Sequence, residues 1–95
     1  MRIMVVCGFG LGSSMILKLK LDEVLKANNL KATTFCSDLT MAKSENFDML
    51  FTSKDISNHF KDVKKPVIVI ENFLNKTEIA EKGLEPIRQL LESKG

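Results

Sequence analysis

Two short, unbroken apolar runs, Ile3-Met4-Val5-Val6 and Val67-Ile68-Val69-Ile70, set the tightest limit on the fold. A strand with one face in water alternates apolar and polar residues. An unbroken run is buried on both faces, as in a parallel sheet covered by helices on each side. The intervening sequence agrees. Leu17, Leu21, Val24 and Leu25 form one apolar stripe at helical spacing, with Lys18, Asp22 and Lys26 outside it. Strand and helix patterns then alternate along the chain, which predicts βαβ units.

The patterns predict strands over 2–6, 32–36, 48–52 and 67–70. A first helix is predicted over 13–28, with Asn28-Asn29 as a left-handed stop and Met15 in the core. Ser37-Asp38 cap a short helical segment through 43, and Ser53 caps a brief one through about 60. Lys64-Lys65-Pro66 is a turn. Asn75 and Glu78 resemble a capping box that opens the last helix. Gly83 and Pro86 fall inside that helix, and its stripe Leu84, Ile87, Leu90, Leu91 runs past them, so it is expected to continue with a break. The expected architecture is one α/β domain over 1–95. It is a doubly wound, four-stranded parallel sheet of order 2-1-3-4, with helices on both faces and a Rossmann-like or phosphatase-like P-loop after strand one. In such sheets ligands bind beyond the carboxyl ends of the strands, at the switch point.

The segment at that position is Cys7-Gly8-Phe9-Gly10-Leu11-Gly12-Ser13-Ser14. Gly8, Gly10 and Gly12 place no side chain between an anion and the backbone N–H groups. Ser13 and Ser14 add hydroxyl donors and a helix cap. The helix start contributes unpaired N–H groups and a positive dipole end, worth roughly 0.3–2 kcal/mol to a nearby negative charge. The same field lowers a thiol pKa, which makes Cys7 a candidate nucleophile toward phosphorus. The competing structural reading is a glycine turn beside a small buried cysteine. The alternating glycines, the serine pair and the switch-point position argue against it.

Other phosphate motifs fit poorly. A dinucleotide fingerprint needs its third glycine one place later than Gly12, and a Walker A loop needs a lysine, which does not occur before Lys18. A phosphatase loop needs an arginine where Ser13 stands, to clamp the phosphate in two places. Without it the loop can hold a phosphoryl group with less charge and pass it on.

Composition removes further classes. A formal net charge of +2, with six Phe and neither Tyr nor Trp, gives no footprint for nucleic acid. No apolar run approaches the roughly 18–20 residues needed to cross a bilayer, and no signal-peptide plan opens the chain, so a cytoplasmic protein without membrane insertion is expected. Cys7 and Cys36 lack C-x-x-C spacing and the single His59 has no cysteine partner in sequence, so neither a metal nor another cofactor is expected.

At these residues the chain resembles the enzyme IIB components of the bacterial sugar phosphotransferase system, most nearly the L-ascorbate class, which is related to the galactitol class. The signature is an apolar strand followed by Cys-Gly-x-Gly-Leu-Gly-Ser-Ser, here residues 7–14. Phe35-Cys36-Ser37-Asp38-Leu39, Thr52-Ser53-Lys54-Asp55 and Val67-Ile68-Val69-Ile70-Glu71-Asn72-Phe73 are similar to later segments of that family, so the likeness spans essentially the whole chain. The resemblance implies that Cys7 accepts a phosphoryl group from a phosphohistidine of enzyme IIA. It implies that Gly8, Phe9, Gly10, Leu11, Gly12, Ser13 and Ser14 cradle the group, and that it passes to a sugar, L-ascorbate by class, held by membrane enzyme IIC. Phe9 or Leu11 is expected to contact a partner. Two other readings stay open on the residues: a small cysteine-dependent phosphatase, which the missing arginine disfavours, and a regulatory module read out through phosphorylation.

Outside the loop, Cys36 is expected as a packing thiol, with a regulatory disulfide to Cys7 as the alternative. Asp38 is expected to cap its helix rather than shuttle protons, and His59 to lie on the surface rather than accept phosphoryl. Ser53 and Lys54 reach the same rim, where they either meet a phosphate or partner or serve only as a helix start. Lys18 and Lys20 are candidates to attract an acidic partner surface, against the default of a solvated helix face.

Overall fold

A computed structural model describes residues 1–6 and 11–94, with backbone alone for 11–14 and 94. The chain runs β1 (Arg2–Val6), α1 (Leu11–Ala27), β2 (Thr33–Ser37), α2 (Leu39–Ala42), β3 (Met49–Thr52), α3 (Lys54–Ser57), a single 3₁₀ turn (Asn58–Phe60), β4 (Val67–Val69) and α4 (Lys76–Lys94). The strands form one parallel sheet of order β2-β1-β3-β4, as the sequence predicts. β2 is shifted by one residue at both ends, β3 and β4 are each one residue shorter than predicted, and α1 begins two residues earlier.

The pleat explains why β1 is apolar throughout. Successive side chains point to opposite faces, so Ile3 and Val5 enter one layer while Met4 and Val6 enter the other. In the first layer they meet Met49 and Phe51 of β3, Leu17, Leu21, Val24 and Leu25 of α1, and Ile79 and Ile87 of α4. In the second they meet Leu50, Ala42, Phe47, Ile56 and Phe60. The whole stripe read from the α1 sequence is buried. Burial of each such large side chain is worth about 1.5–3 kcal/mol before entropy is counted.

Met15 is a correction. It is 51% exposed, beside Ile16 at 42% and Leu19 at 55%. Leu17 and Leu21 fill the sheet-facing side of α1, and Met15 and Leu19, two positions off that stripe, fall outside it. The stop holds: Asn29 takes the left-handed conformation at φ 56°, and the Leu30 N–H donates back to the Leu25 carbonyl.

α4 is one uninterrupted helix with Pro86 inside it. No second helix starts there; the helix continues past the one backbone donor that proline lacks. Gly83 is needed for contact, since a Cβ at this position would lie 2.6 Å from Phe51 Cζ. Asn75 Oδ1 accepts from the Glu78 N–H at 3.2 Å, one half of the expected capping box. The Glu78 carboxylate does not close the other half. It accepts from the Glu71 N–H at 2.7 Å and the Asn72 N–H at 2.9 Å, tying the chain after β4 to the first turn of α4. Lys82, which donates to it at 2.7 Å, and then those amides hold the Glu78 carboxyl down to about 2.

Candidate functional site at the carboxyl edge of the sheet

The register brings the strand ends level. Val6 stands beside Ser37 of β2 and Thr52 of β3, and Thr52 beside Val69 of β4. β1 lies between its two neighbours, with the next strands in sequence placed on either side, so its carboxyl end is the switch point. The chain leaves β1 at Val6 and enters α1 at Leu11. Cys7, Gly8, Phe9 and Gly10 lie outside the described residues, as do the side chains of Leu11, Gly12, Ser13 and Ser14.

Leu11, Gly12, Ser13 and Ser14 form the first turn of α1. The predicted span 13–28 already puts the serines in the helix; the start of α1 at Leu11 moves the cap position ahead of them, which corrects their reading as a helix cap. Gly12 precedes them inside the helix, so they are helical, and the main-chain N–H of Ser13 belongs to the four that no helix can pair internally.

Thr52 is a rim residue that sequence reasoning passed over. It is fully buried, and its Oγ1 donates to the Val6 carbonyl at 2.7 Å, fixing the residue that precedes Cys7. The available signal was a hydroxyl ending the apolar run Met49-Leu50-Phe51. The next residue, Ser53, holds the N-cap position of α3 but makes no side-chain cap bond. Its Oγ is buried, and among the described residues it has no partner. Asp38 does cap: its Oδ1 accepts from the Met41 N–H at 2.8 Å, as expected.

The remaining candidates separate. Cys36, in β2 opposite Val5, is a half-buried free thiol. His59 is exposed in the 3₁₀ turn, and Lys54 is exposed at the start of α3. Lys18 pairs with Asp22 at 2.9 Å, and Asp22 also accepts from Thr34 Oγ1 at 2.5 Å, so much of the Lys18 charge is met within the chain. Lys20 is half-buried. Among the described residues, no helix is long and apolar enough to cross a membrane.

Known proteins place this architecture. The family described as "PTS system, Lactose/Cellobiose specific IIB subunit" matches residues 2–84. Ascorbate-specific PTS system EIIB components from Salmonella typhimurium and Escherichia coli O157:H7 are each 34% identical over 91 residues, covering 93% of this chain and 90% of the relative. The lactose-specific IIB component domain from Streptococcus pneumoniae superposes with a TM-score of 0.55 over 97% of this chain and 95% of that one. At 10% identity, that last likeness speaks for the fold alone. A motif of cysteine and glycines at the exit of a central parallel strand, a 2-1-3-4 sheet and relatives along nearly the whole chain agree on one conclusion: this chain belongs to the enzyme IIB family of the phosphotransferase system, a family of phosphotransferases.

Proposed function

We propose that the chain, as one domain over 1–95, is a cytoplasmic phosphoryl relay centred on Cys7. The observation that carries this reading is the segment Cys7-Gly8-Phe9-Gly10-Leu11-Gly12-Ser13-Ser14, which follows Val6 directly at the switch point of the sheet. The Cys7 thiolate attacks the phosphorus of a phosphohistidine on enzyme IIA. The S–P bond forms as the P–N bond breaks, and the bonding pair returns to the imidazole nitrogen. In the second transfer a sugar hydroxyl oxygen, held by enzyme IIC, attacks the same phosphorus. The S–P bond breaks, the pair returns to sulfur and the hydroxyl proton leaves to solvent. Main-chain N–H groups from Gly8 to Ser14 hold the phosphoryl oxygens in a P-loop, helped by the positive end of α1. No metal or other cofactor takes part.

The sugar we assign is L-ascorbate. Two ascorbate-specific relatives match at 34% over nearly the full chain, which supports that assignment. Two cysteines used as thiols suit a reducing compartment. Docking of enzyme IIA and enzyme IIC would use the exposed apolar side chains near the rim: Met15, Ile16 and Leu19 on α1, with Met41 on α2, which follows the end of β2. Exposed apolar side chains that adjoin on one helix, as Met15, Ile16 and Leu19 do on α1, mark interaction surfaces.

The test is to incubate the chain with phosphorylated enzyme IIA and measure intact mass. The expected result is the gain of one phosphoryl group that Cys7→Ser abolishes. An unchanged mass, or a gain that survives Cys7→Ser, refutes the relay.

A further inference from the structure

We infer that Ser53 is a catalytic hydrogen-bond donor to the phosphoryl group carried at Cys7. This inference rests on the relay proposed above. Three observations on β3 carry it. First, Thr52 stands in register with Val6 and donates to its carbonyl at 2.7 Å, so Ser53 follows directly on a residue clamped to the one that precedes Cys7 in sequence. Second, Ser53 remains extended, at φ −84° and ψ 165°. It therefore continues the alternation of β3 and belongs to the same face as Phe51, the face that α1 covers and from which the first turn of α1 rises. Third, its Oγ is buried and among the described residues has no partner, although the residue sits at the N-cap of α3, where a serine hydroxyl commonly accepts from the backbone.

The contrast with Asp38 isolates that third observation. Both residues follow a strand of this sheet and start a four-residue helix. Asp38 uses its side chain on the Met41 N–H; Ser53 makes no such bond. A buried hydroxyl without a partner costs about 1–3 kcal/mol. A phosphoryl dianion at the adjoining position removes that cost, because it needs donors and a serine O–H supplies one. Ser53 stays protonated throughout and forms no covalent bond. Its O–H donates to a phosphoryl oxygen while the S–P bond exists and as that bond forms or breaks.

The experiment compares the full-length chain with Ser53→Ala, Ser53→Gly and Ser53→Thr. It measures the single-turnover rate of phosphoryl acceptance from phosphorylated enzyme IIA and the ³¹P resonance of the phosphocysteine. Two variants remove the hydroxyl, so one that folds suffices; folding is checked by amide NMR. Loss of one hydrogen bond to a charged group should slow acceptance about tenfold in Ser53→Ala or Ser53→Gly. It should also displace the ³¹P signal. Ser53→Thr, which keeps the hydroxyl, should restore both. A hydroxyl-free variant that is phosphorylated at the wild-type rate with an unmoved ³¹P signal overturns the role of Ser53 and leaves the relay standing. A wild-type chain that takes no phosphoryl group at Cys7 overturns the relay and this inference together.

Discussion

Gly83 offers a direct measure of how closely α4 sits on the sheet. Replacing it with alanine sets two effects of similar size against each other. Alanine is favoured over glycine in a helix interior by about 0.8–1 kcal/mol. The added Cβ, however, would stand 2.6 Å from Phe51 Cζ and 2.8 Å from Cε2, where carbon atoms normally keep about 3.5–4.0 Å. Phe51 cannot swing aside. Its ring is fully buried on the middle of β3, in the layer that also holds Ile3, Val5, Leu17 and Ile87. An overlap of roughly 1 Å against a confined ring belongs with overpacking changes, which cost about 1–3 kcal/mol. The clash therefore wins, and Gly83→Ala should be destabilised by about 1 kcal/mol net. For a chain of this size that lowers the thermal midpoint by about 4–8 °C. The assay is urea unfolding followed by circular dichroism, repeated in a Phe51→Leu background. There the ring atoms that meet the Cβ are gone, and Gly83→Ala should be neutral or stabilising. A coupling of about 1 kcal/mol or more between the two sites is the expected signature. If Gly83→Ala raises the midpoint in the wild-type background, helix propensity outweighs contact and the close approach of α4 to β3 is refuted.

Two further perturbations test other parts of the molecule. Glu78 has its carboxyl held down to about 2 from an ordinary 4.5, so the stability it contributes is complete above about pH 4.5 and fades as pH falls toward 2. Glu78→Gln should flatten the stability–pH curve in that window and cost about 1 kcal/mol at neutral pH, a figure reduced for partial solvent screening; parallel curves for the two proteins would disprove the tie between Glu78 and the chain after β4. On α1, Met15→Glu with Leu19→Glu should leave unfolding stability within about 0.5 kcal/mol, since neither side chain packs into the core. The same pair should slow phosphoryl acceptance from enzyme IIA, and a wild-type transfer rate would remove α1 from the docking surface.

What the sequence disclosed, and what it concealed, divides along a physical line. Strand order, the central place of β1 and the buried stripe of α1 all follow from periodicity, which a residue expresses by its own polarity and spacing. The motif at 7–14 was legible for a similar reason: glycines, a thiol and paired hydroxyls state their chemistry without reference to the rest of the chain. Met15 was misplaced because an apolar residue near the start of an apolar helix looks like its neighbours, and only the direction from which the sheet approaches separates it from Leu17. Gly83 and Pro86 read as breakers because propensity is local, whereas the reason for Gly83 is a ring from a strand more than thirty residues earlier. Thr52 and Ser53 belong to this second group. One hydroxyl is consumed by the strand next to it and the other has no partner among the described residues, and nothing in the order Met49-Leu50-Phe51-Thr52-Ser53 distinguishes the two. That distinction is made by the register between β1 and β3. The same register sets Ser53 next to the exit of the strand that Cys7 follows, so a side chain indistinguishable from a helix cap in the sequence becomes a candidate donor in the fold.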